Sequence, residues 1–232
     1  TTPNESSAAS DVYKRQPWGS ISSEVNLFPI FYLIIVYGIV YILPFGENIV
    51  GHSWFVFLFK EDGPFEWAQF LQYFIGSFFG FLIFFNSKKK KSLNSLIWLI
   101  LSIVFLFIAL EEISWGERIT GLGLNSLREV SIQGETNLHN LPFIHNYLLD
   151  PALQLICIIF GWVGWRNLPF LNAFPSKKLS LFFLFTALYF AYYDISWAST
   201  IEHIRNDPDQ EVFELLLSTG IFIHCWLSLI HI

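Results

Sequence analysis

The sequence predicts an all-α fold: a polytopic bundle of about six membrane-spanning helices. Of its 232 residues, 53% are hydrophobic, 19% are aromatic and only 14% are charged. The 26 phenylalanines and nine tryptophans far exceed the usage of soluble domains. Uncharged, mostly aliphatic runs, of which residues 92–110 are the clearest, have the length that a helix needs to cross a bilayer.

Six apolar runs are predicted to form the spans, the last of them cut short. They cover residues 27–45, 67–85, 93–113, 148–165, 179–197 and 212–226. Residues 51–59 are apolar but too short to span, so they are an interfacial or re-entrant candidate. Cys157 and Cys225 lie inside apolar runs, which indicates small apolar side chains and not a disulfide or metal site. Nothing in the sequence indicates nucleic-acid binding.

Both ends of the chain look foreign to the rest. Residues 1–16 and 227–232 resemble translated sequencing-adapter read-through, so we expect non-native tails there and a single transmembrane domain over residues 17–226. The last apolar run has no flanking Lys or Arg, and we therefore expect the natural protein to continue.

The distribution of basic residues predicts the orientation. Four consecutive lysines begin at Lys88 and end at Lys91, and Arg166, Lys177 and Lys178 lie between the fourth and fifth spans. Neither connection contains an acid, so the positive-inside rule places both, with the N-terminus, in the cytoplasm. The other connections, which carry most of the acidic residues, then face outward.

Glu111 and Glu112 end the uncharged run at residues 92–110, and acidic groups at that depth are costly enough to suggest a function. Glu111, Ser114 and Arg118 have spacings of three and four residues, so a continuing helix would place them on one face. We therefore expect Arg118 to neutralise Glu111 and to leave Glu112 for a pocket.

Further polar residues are predicted on the same outer side. Asp194 lies only sixteen residues beyond Lys178, about 24 Å along a helix, so we expect it to remain inside the hydrocarbon, where it needs a partner or a proton. The other residues predicted to support this site are Trp115, Gln133, Asn137, Asn140, Ser196, Trp197, His203, Glu211 and Glu214. Glu66 opens the second span from the same side.

A short internal repeat connects two of these regions. Residues 112–115 and 194–197 both read acid-Ile-Ser-Trp, at the outer ends of the third and fifth predicted spans. The match suggests parallel two-helix repeats in which Glu112 and Asp194 face each other. The alternative is ordinary aromatic-belt chemistry, in which tryptophans anchor helix ends at an interface.

Glu135 and His139 are four residues apart, so both would project from one face if the segment were helical. Such a pair suits a divalent metal such as Zn²⁺ or Fe. It equally suits a general base without metal, or helix-capping side chains in a structural loop.

Two motifs carry a resemblance to a known family. The strings EEISWGER at residues 111–118 and QGETNLHN at residues 133–140 resemble motifs of a family of bacterial polytopic membrane proteins to which no activity is assigned. The chain has Glu117 and Ser131 where that pattern has Gln and Asn. The resemblance implies a bacterial cytoplasmic-membrane protein and implies no reaction.

The carboxylates, histidines and serine predicted on the outer side favour a membrane-embedded hydrolase or group transferase. Such an enzyme would act on a lipid or polyprenol-linked substrate at the outer leaflet. Its predicted catalytic residues are Glu112, Glu135, His139 and Asp194. A proton- or cation-coupled transporter is the first alternative, because of the possible repeat and the intramembrane Asp194. A non-catalytic membrane subunit that binds a partner is the second.

Overall fold

The computed structural model describes residues 23–38, 57–58, 63–87, 93–132, 134–166, 173–198 and 207–231. Within these ranges the chain is helical and contains no β-strand, as the composition predicts. Long helices are α1 (Ser23–Tyr37), α2 (Pro64–Asn86), α3 (Leu93–Glu112), α7 (Leu149–Arg166), α8 (Ser180–Ala198) and α9 (Asp207–Ile230). Between α3 and α7 lie the short helices α4 (Glu117–Thr120), α5 (Asn125–Arg128) and α6 (Pro142–Tyr147).

Three of the described helices are long and apolar enough to cross a membrane: α2, α3 and the segment Gln210–Ile230 of α9. The apolar parts of α1 and α7, Glu24–Tyr37 and Leu149–Trp162, are shorter than these. α2 starts with Pro64, whose fixed φ suits the first helical position, and stops at Asn86, just before the lysine run. These helices occupy positions that the hydropathy pattern assigned to spans.

Helix α2 packs against both α3 and α9, and α8 packs against both α7 and α9. The centre of the bundle is aromatic and aliphatic, with Phe182, Phe183 and Leu216 almost wholly buried. Small residues bring α2 and α3 together, since a Cβ atom at Gly80 would overlap the hydroxyl of Ser102. Close backbone approach at small residues is the usual way in which membrane helices associate.

The outward faces of α2 and α3 are strongly apolar. Large side chains such as Phe74, Phe78, Ile100 and Ile103 are exposed there, whereas polar groups such as Gln69 and Ser102 are buried. A water-soluble bundle would show the opposite distribution. The described structure is therefore that of a helical bundle suited to a membrane.

Candidate functional site

The site begins where helix α3 breaks. α3 ends at Glu112, and Ser114, Trp115 and Gly116 follow with φ values of 47°, 56° and 88°. Left-handed backbone at non-glycine residues is strained by about 1–3 kcal/mol each and persists only where surrounding contacts hold it. Two side-chain hydrogen bonds do so here, from Trp115 Nε1 to Glu111 Oε1 at 2.5 Å and from Ser114 Oγ to Glu135 Oε2 at 2.8 Å.

Glu111 is the hydrogen-bonding centre of the site. Its Oε2 accepts from the backbone N–H groups of Leu138 at 2.7 Å and His139 at 2.9 Å, and lies 3.1 Å from His139 Nδ1. With Trp115 on Oε1, four N–H groups converge on one buried carboxyl, an arrangement that suits a carboxylate. A carboxylate can only accept, so Nδ1 of His139 donates; in the neutral form of the ring, Nε2 is then the atom that can accept a proton.

Arg118 does not pair with Glu111, and that prediction is wrong. Its Nη1 lies 2.5 Å from Glu66 Oε1 on α2, and its Nη2 donates to Glu135 Oε2 at 3.2 Å. The expected common face of Glu111, Ser114 and Arg118 requires an unbroken helix, and the left-handed turn at Ser114 removes it. Arg118 therefore ties the start of α2 to the loop after α5.

The segment that contains Glu135 and His139 is a series of turns and bends, not a helix. Glu135 accepts from Ser114, from Arg118 and from Asn137 Nδ2 at 2.9 Å, whereas His139 contacts Glu111. The condition for a shared helical face, a helical segment, is therefore not met. Among the described residues, no group of three or more His, Cys, Asp or Glu side chains is placed to hold a metal ion.

A second group of carboxylates, Glu66, Glu112, Glu211 and Glu214, lies at the start of α2, the end of α3 and the start of α9. Glu211, almost completely buried, accepts a hydrogen bond from Gln69 Nε2 at 2.6 Å. Glu214 accepts from Gln210 Nε2 at 2.9 Å and interacts electrostatically with His139. Glu112 interacts electrostatically with Glu214, with Glu66 and with Arg118. His139 thus contacts Glu111 and interacts electrostatically with Glu214 of α9.

Glu117 has a supporting role on the outer loop. Its carboxylate accepts from the Arg128 guanidinium and from the backbone N–H of Thr136 at 2.9 Å. These hydrogen bonds, that of Arg128 first, hold the pKa of Glu117 below its ordinary value of 4.5. Thr136 Oγ1 in turn accepts from Leu124 N at 2.8 Å. Glu117 therefore fastens α4 to the loop that carries His139.

The remaining predicted residues divide into two groups. Asn137 and Asn140 are fully buried in the loop, and the carbonyl of Asn140 accepts from Ile132 N at 2.9 Å. Gln133 and His203 lie outside the described residues, as do the side chains of Asp194, Ser196 and Trp197. The two copies of the acid-Ile-Ser-Trp string differ in backbone, because 112–115 leaves its helix whereas 194–197 lies within α8.

Gln69 is a site residue that the sequence reasoning missed. Glu66, Gln69 and Tyr73 are buried polar groups at spacings of three and four residues in the otherwise apolar α2. That spacing places them on one helical face, and it was the signal in the sequence that could have identified Gln69.

Comparisons with family models, with curated proteins and with solved structures find no match for this chain.

Proposed function

We propose that this protein is a membrane-embedded hydrolase or group transferase in which His139, oriented by Glu111, is the general base. The observation that carries the proposal is the 3.1 Å contact between Glu111 Oε2 and His139 Nδ1. A carboxylate on one imidazole nitrogen fixes the ring and its tautomer, so that the other nitrogen can take a proton from water or an alcohol. The His139 side chain is one-third exposed, which leaves the ring accessible.

The acidic residues next to the imidazole supply the second half of the chemistry. Glu214 and Glu112 are partly buried and lie in electrostatic range of each other. Carboxyl groups that interact electrostatically can together retain a proton, which a leaving group could then receive. Glu135 has a positioning role in this scheme, because Ser114, Arg118 and Asn137 engage both of its oxygens.

The proposed substrate is a lipid or lipid-linked molecule of the outer leaflet. Glu66 near the start of α2, Glu111 at the end of α3 and Glu211 near the start of α9 lie at one end of the bundle. The charge pattern of the connections assigns that end to the outside of a bacterial cytoplasmic membrane. The six-span count and the parallel repeat belong to the same proposal.

A reaction in isotopically labelled water tests the proposal even while the substrate is unidentified. The full chain in vesicles is incubated with a bacterial lipid extract in H₂¹⁸O, and mass spectrometry follows lipid consumption and ¹⁸O uptake. We expect His139→Gln to lower the conversion by about 10²–10⁴-fold, the usual worth of a general base. His231→Gln, at an exposed histidine away from the site, is the matched control.

Conversion by the wild-type chain that survives His139→Gln would refute the assigned base. If no lipid species is consumed or labelled by the wild-type chain, the enzyme proposal is wrong. The effect of His139→Gln can be assigned to the base only if His231→Gln retains conversion and both variants fold correctly.

A proton-coupled carrier is the second candidate, and the Gln69–Glu211 contact favours it. This 2.6 Å hydrogen bond joins α2 to α9 inside the bundle, beside three further carboxyl groups. A group of buried acids on facing helices is the usual composition of a proton relay. The carrier predicts that Glu211→Gln abolishes proton flux into vesicles with a pH dye, whereas the enzyme predicts no such flux in the wild-type chain.

A further inference from the structure

The segment that connects α3 to α7, residues 113–148, carries its apolar side chains on the outside. Leu122 is 81% exposed, and several other large apolar side chains of the segment are at least half exposed. These are Ile119, Leu124, Val130, Ile132, Phe143 and Tyr147. An aqueous loop of this length would be expected to bury such side chains or to lack them.

Most charged side chains of the same segment, with Glu129 as the exception, contact one another or the helix ends. Arg128 pairs with Glu117, and Arg118 pairs with Glu66 and Glu135. His139 contacts Glu111. The segment thus has most of its charged groups inside and many apolar groups outside, which is the arrangement expected of protein in contact with lipid.

Many backbone N–H groups of the segment also find acceptors within the protein, although little of the segment is regular helix. Gly121 N donates to Glu117 O at 2.7 Å and Ile132 N to Asn140 O at 2.9 Å. Side chains accept other backbone donors, as Thr136 Oγ1 does from Leu124 N and Glu117 Oε2 from Thr136 N. Lipid-exposed irregular backbone does not occur within the hydrocarbon core, so a segment of this kind fits the boundary of the core and not its centre.

The apolar surface of the segment continues that of helix α3. The exposed ring of Trp115 packs edge-on against the exposed ring of Phe107, with centroids 5.6 Å apart. Phe107 belongs to the same outward face as Ile103 in α3. The apolar surface of a span therefore extends directly into the surface of the segment.

We propose that residues 113–148 lie in the bilayer, at the boundary of hydrocarbon and headgroups in the leaflet where α3 ends, with lipid as the occupant of their apolar surface. The exposed polar residues Asn125, Ser126 and Glu129 mark the edge of the segment that faces the headgroups. His139 belongs to this segment, so under the proposed function a lipid would reach the site sideways from the leaflet.

Site-directed spin labelling measures this placement directly. Cys157 and Cys225 are fully buried, so a methanethiosulfonate spin label reacts at an introduced cysteine. The test positions are Leu122→Cys and Phe143→Cys in vesicles of phosphatidylethanolamine and phosphatidylglycerol. Ile103→Cys, exposed on α3, is the lipid reference, and Lys177→Cys, exposed before α8, is the water reference.

We expect oxygen to relax the labels at residues 122 and 143 more strongly than the label at residue 177 but less strongly than the label at residue 103. Residue 103 lies mid-way along α3, and oxygen is most concentrated at the centre of the hydrocarbon. A water-soluble nickel chelate should relax the labels at residues 122 and 143 about tenfold less than at residue 177, because polar solutes partition poorly into hydrocarbon. Chelate access equal to that at residue 177 would overturn the proposal in favour of an aqueous loop. Protection from both relaxants would overturn it in favour of a protein partner. Neither result depends on catalytic activity, so the placement and the proposed reaction can fail separately.

Discussion

Oxygen Oε2 of Glu111 lies 2.9 Å from the backbone nitrogen of His139 and 3.1 Å from Nδ1 of the same residue. One carboxylate oxygen therefore fixes both the main chain and the ring of the histidine. Glu111 ends a membrane-length helix, whereas His139 lies in an irregular loop 28 residues later. The contact therefore holds the candidate base in a fixed position relative to the end of the helix.

Trp115→Phe should loosen Glu111 without removing the ring packing. The change deletes the Nε1 donor to Glu111 Oε1 but keeps an aromatic ring against Phe107. We expect the free energy of unfolding to fall by about 1–2 kcal/mol, the usual worth of a hydrogen bond to a charged group. Chemical unfolding in detergent measures the loss.

Trp67→Phe is the matched control for that variant. Trp67 is also an exposed tryptophan near a helix end and packs edge-on against Phe70. An equal loss of stability in both variants would show that the indole of Trp115 contributes only through its size.

Arg118 and Glu66 should be energetically coupled. Both side chains are nearly buried, and Arg118 also holds Glu135, so Arg118→Met leaves two carboxylates without this partner. We expect Arg118→Met to cost about 3–5 kcal/mol and a double-mutant cycle with Glu66→Gln to give a coupling of about 1–3 kcal/mol.

Arg128→Met supplies the comparison for the arginine variant. Arg128 is about one-third exposed in its pair with Glu117, so its loss should cost about 1 kcal/mol or less. If the changes in the free energy of unfolding caused by Arg118→Met and by Glu66→Gln are simply additive, Arg118 does not connect α2 to the loop as described.

Glu117 should contribute to the pH dependence of stability. Its folded pKa is lowered from 4.5, first by the hydrogen bond from Arg128. A lowered folded pKa means that the contribution is full above the unfolded value and disappears as the pH falls through the folded value. The stability difference between the wild-type chain and Glu117→Gln should thus be constant near neutrality and shrink on acidification below 4.5.

Unfolding curves of both chains from about pH 7 to about pH 3 measure this difference. Glu129→Gln, at an exposed carboxylate of the same segment, controls for the loss of one negative charge. A difference that grows on acidification would contradict the ion pair with Arg128.

The Gly80 contact between α2 and α3 predicts a steric cost. The Ser102 hydroxyl that faces Gly80 already donates to Trp98 O at 2.6 Å, so it has little freedom to move. We expect Gly80→Ala to destabilise the bundle by about 1–3 kcal/mol through overpacking. Gly76→Ala is the control, since its Cβ would lie 3.8 Å from Cys225 Sγ, an ordinary contact. A stability loss in both variants alike would point to backbone effects instead.

Hydropathy predicted the helices well because a membrane span depends on a long run of similar residues, which tertiary contacts do not alter. The break after Glu112 was not predictable in the same way. Ser114 and Trp115 adopt left-handed backbone, which non-glycine residues rarely do. The assignment of Arg118 to Glu111 failed for that reason, since it assumed that the helix continued.

Glu111, Glu135 and His139 were singled out from the sequence because each is a polar group beside a span. Their partners depend on a loop of 28 residues folding back on the helix end, and helical spacing carries no information about such contacts. Gln69 shows the converse, because its helical spacing from Glu66 was visible although its bond to Glu211 on α9 was not.

The amino-acid sequence alone determined that this is a helical protein with membrane-length apolar segments and with acids, histidines and aromatic residues at particular segment ends. Only the tertiary structure decided that Glu111 holds His139 and that Arg118 joins Glu66 to Glu135. The physical reason is that hydropathy is averaged over many residues, so one exceptional residue does not change the prediction of a helix. A hydrogen bond depends instead on two atoms meeting within about 3 Å, which one change of backbone conformation can create or abolish.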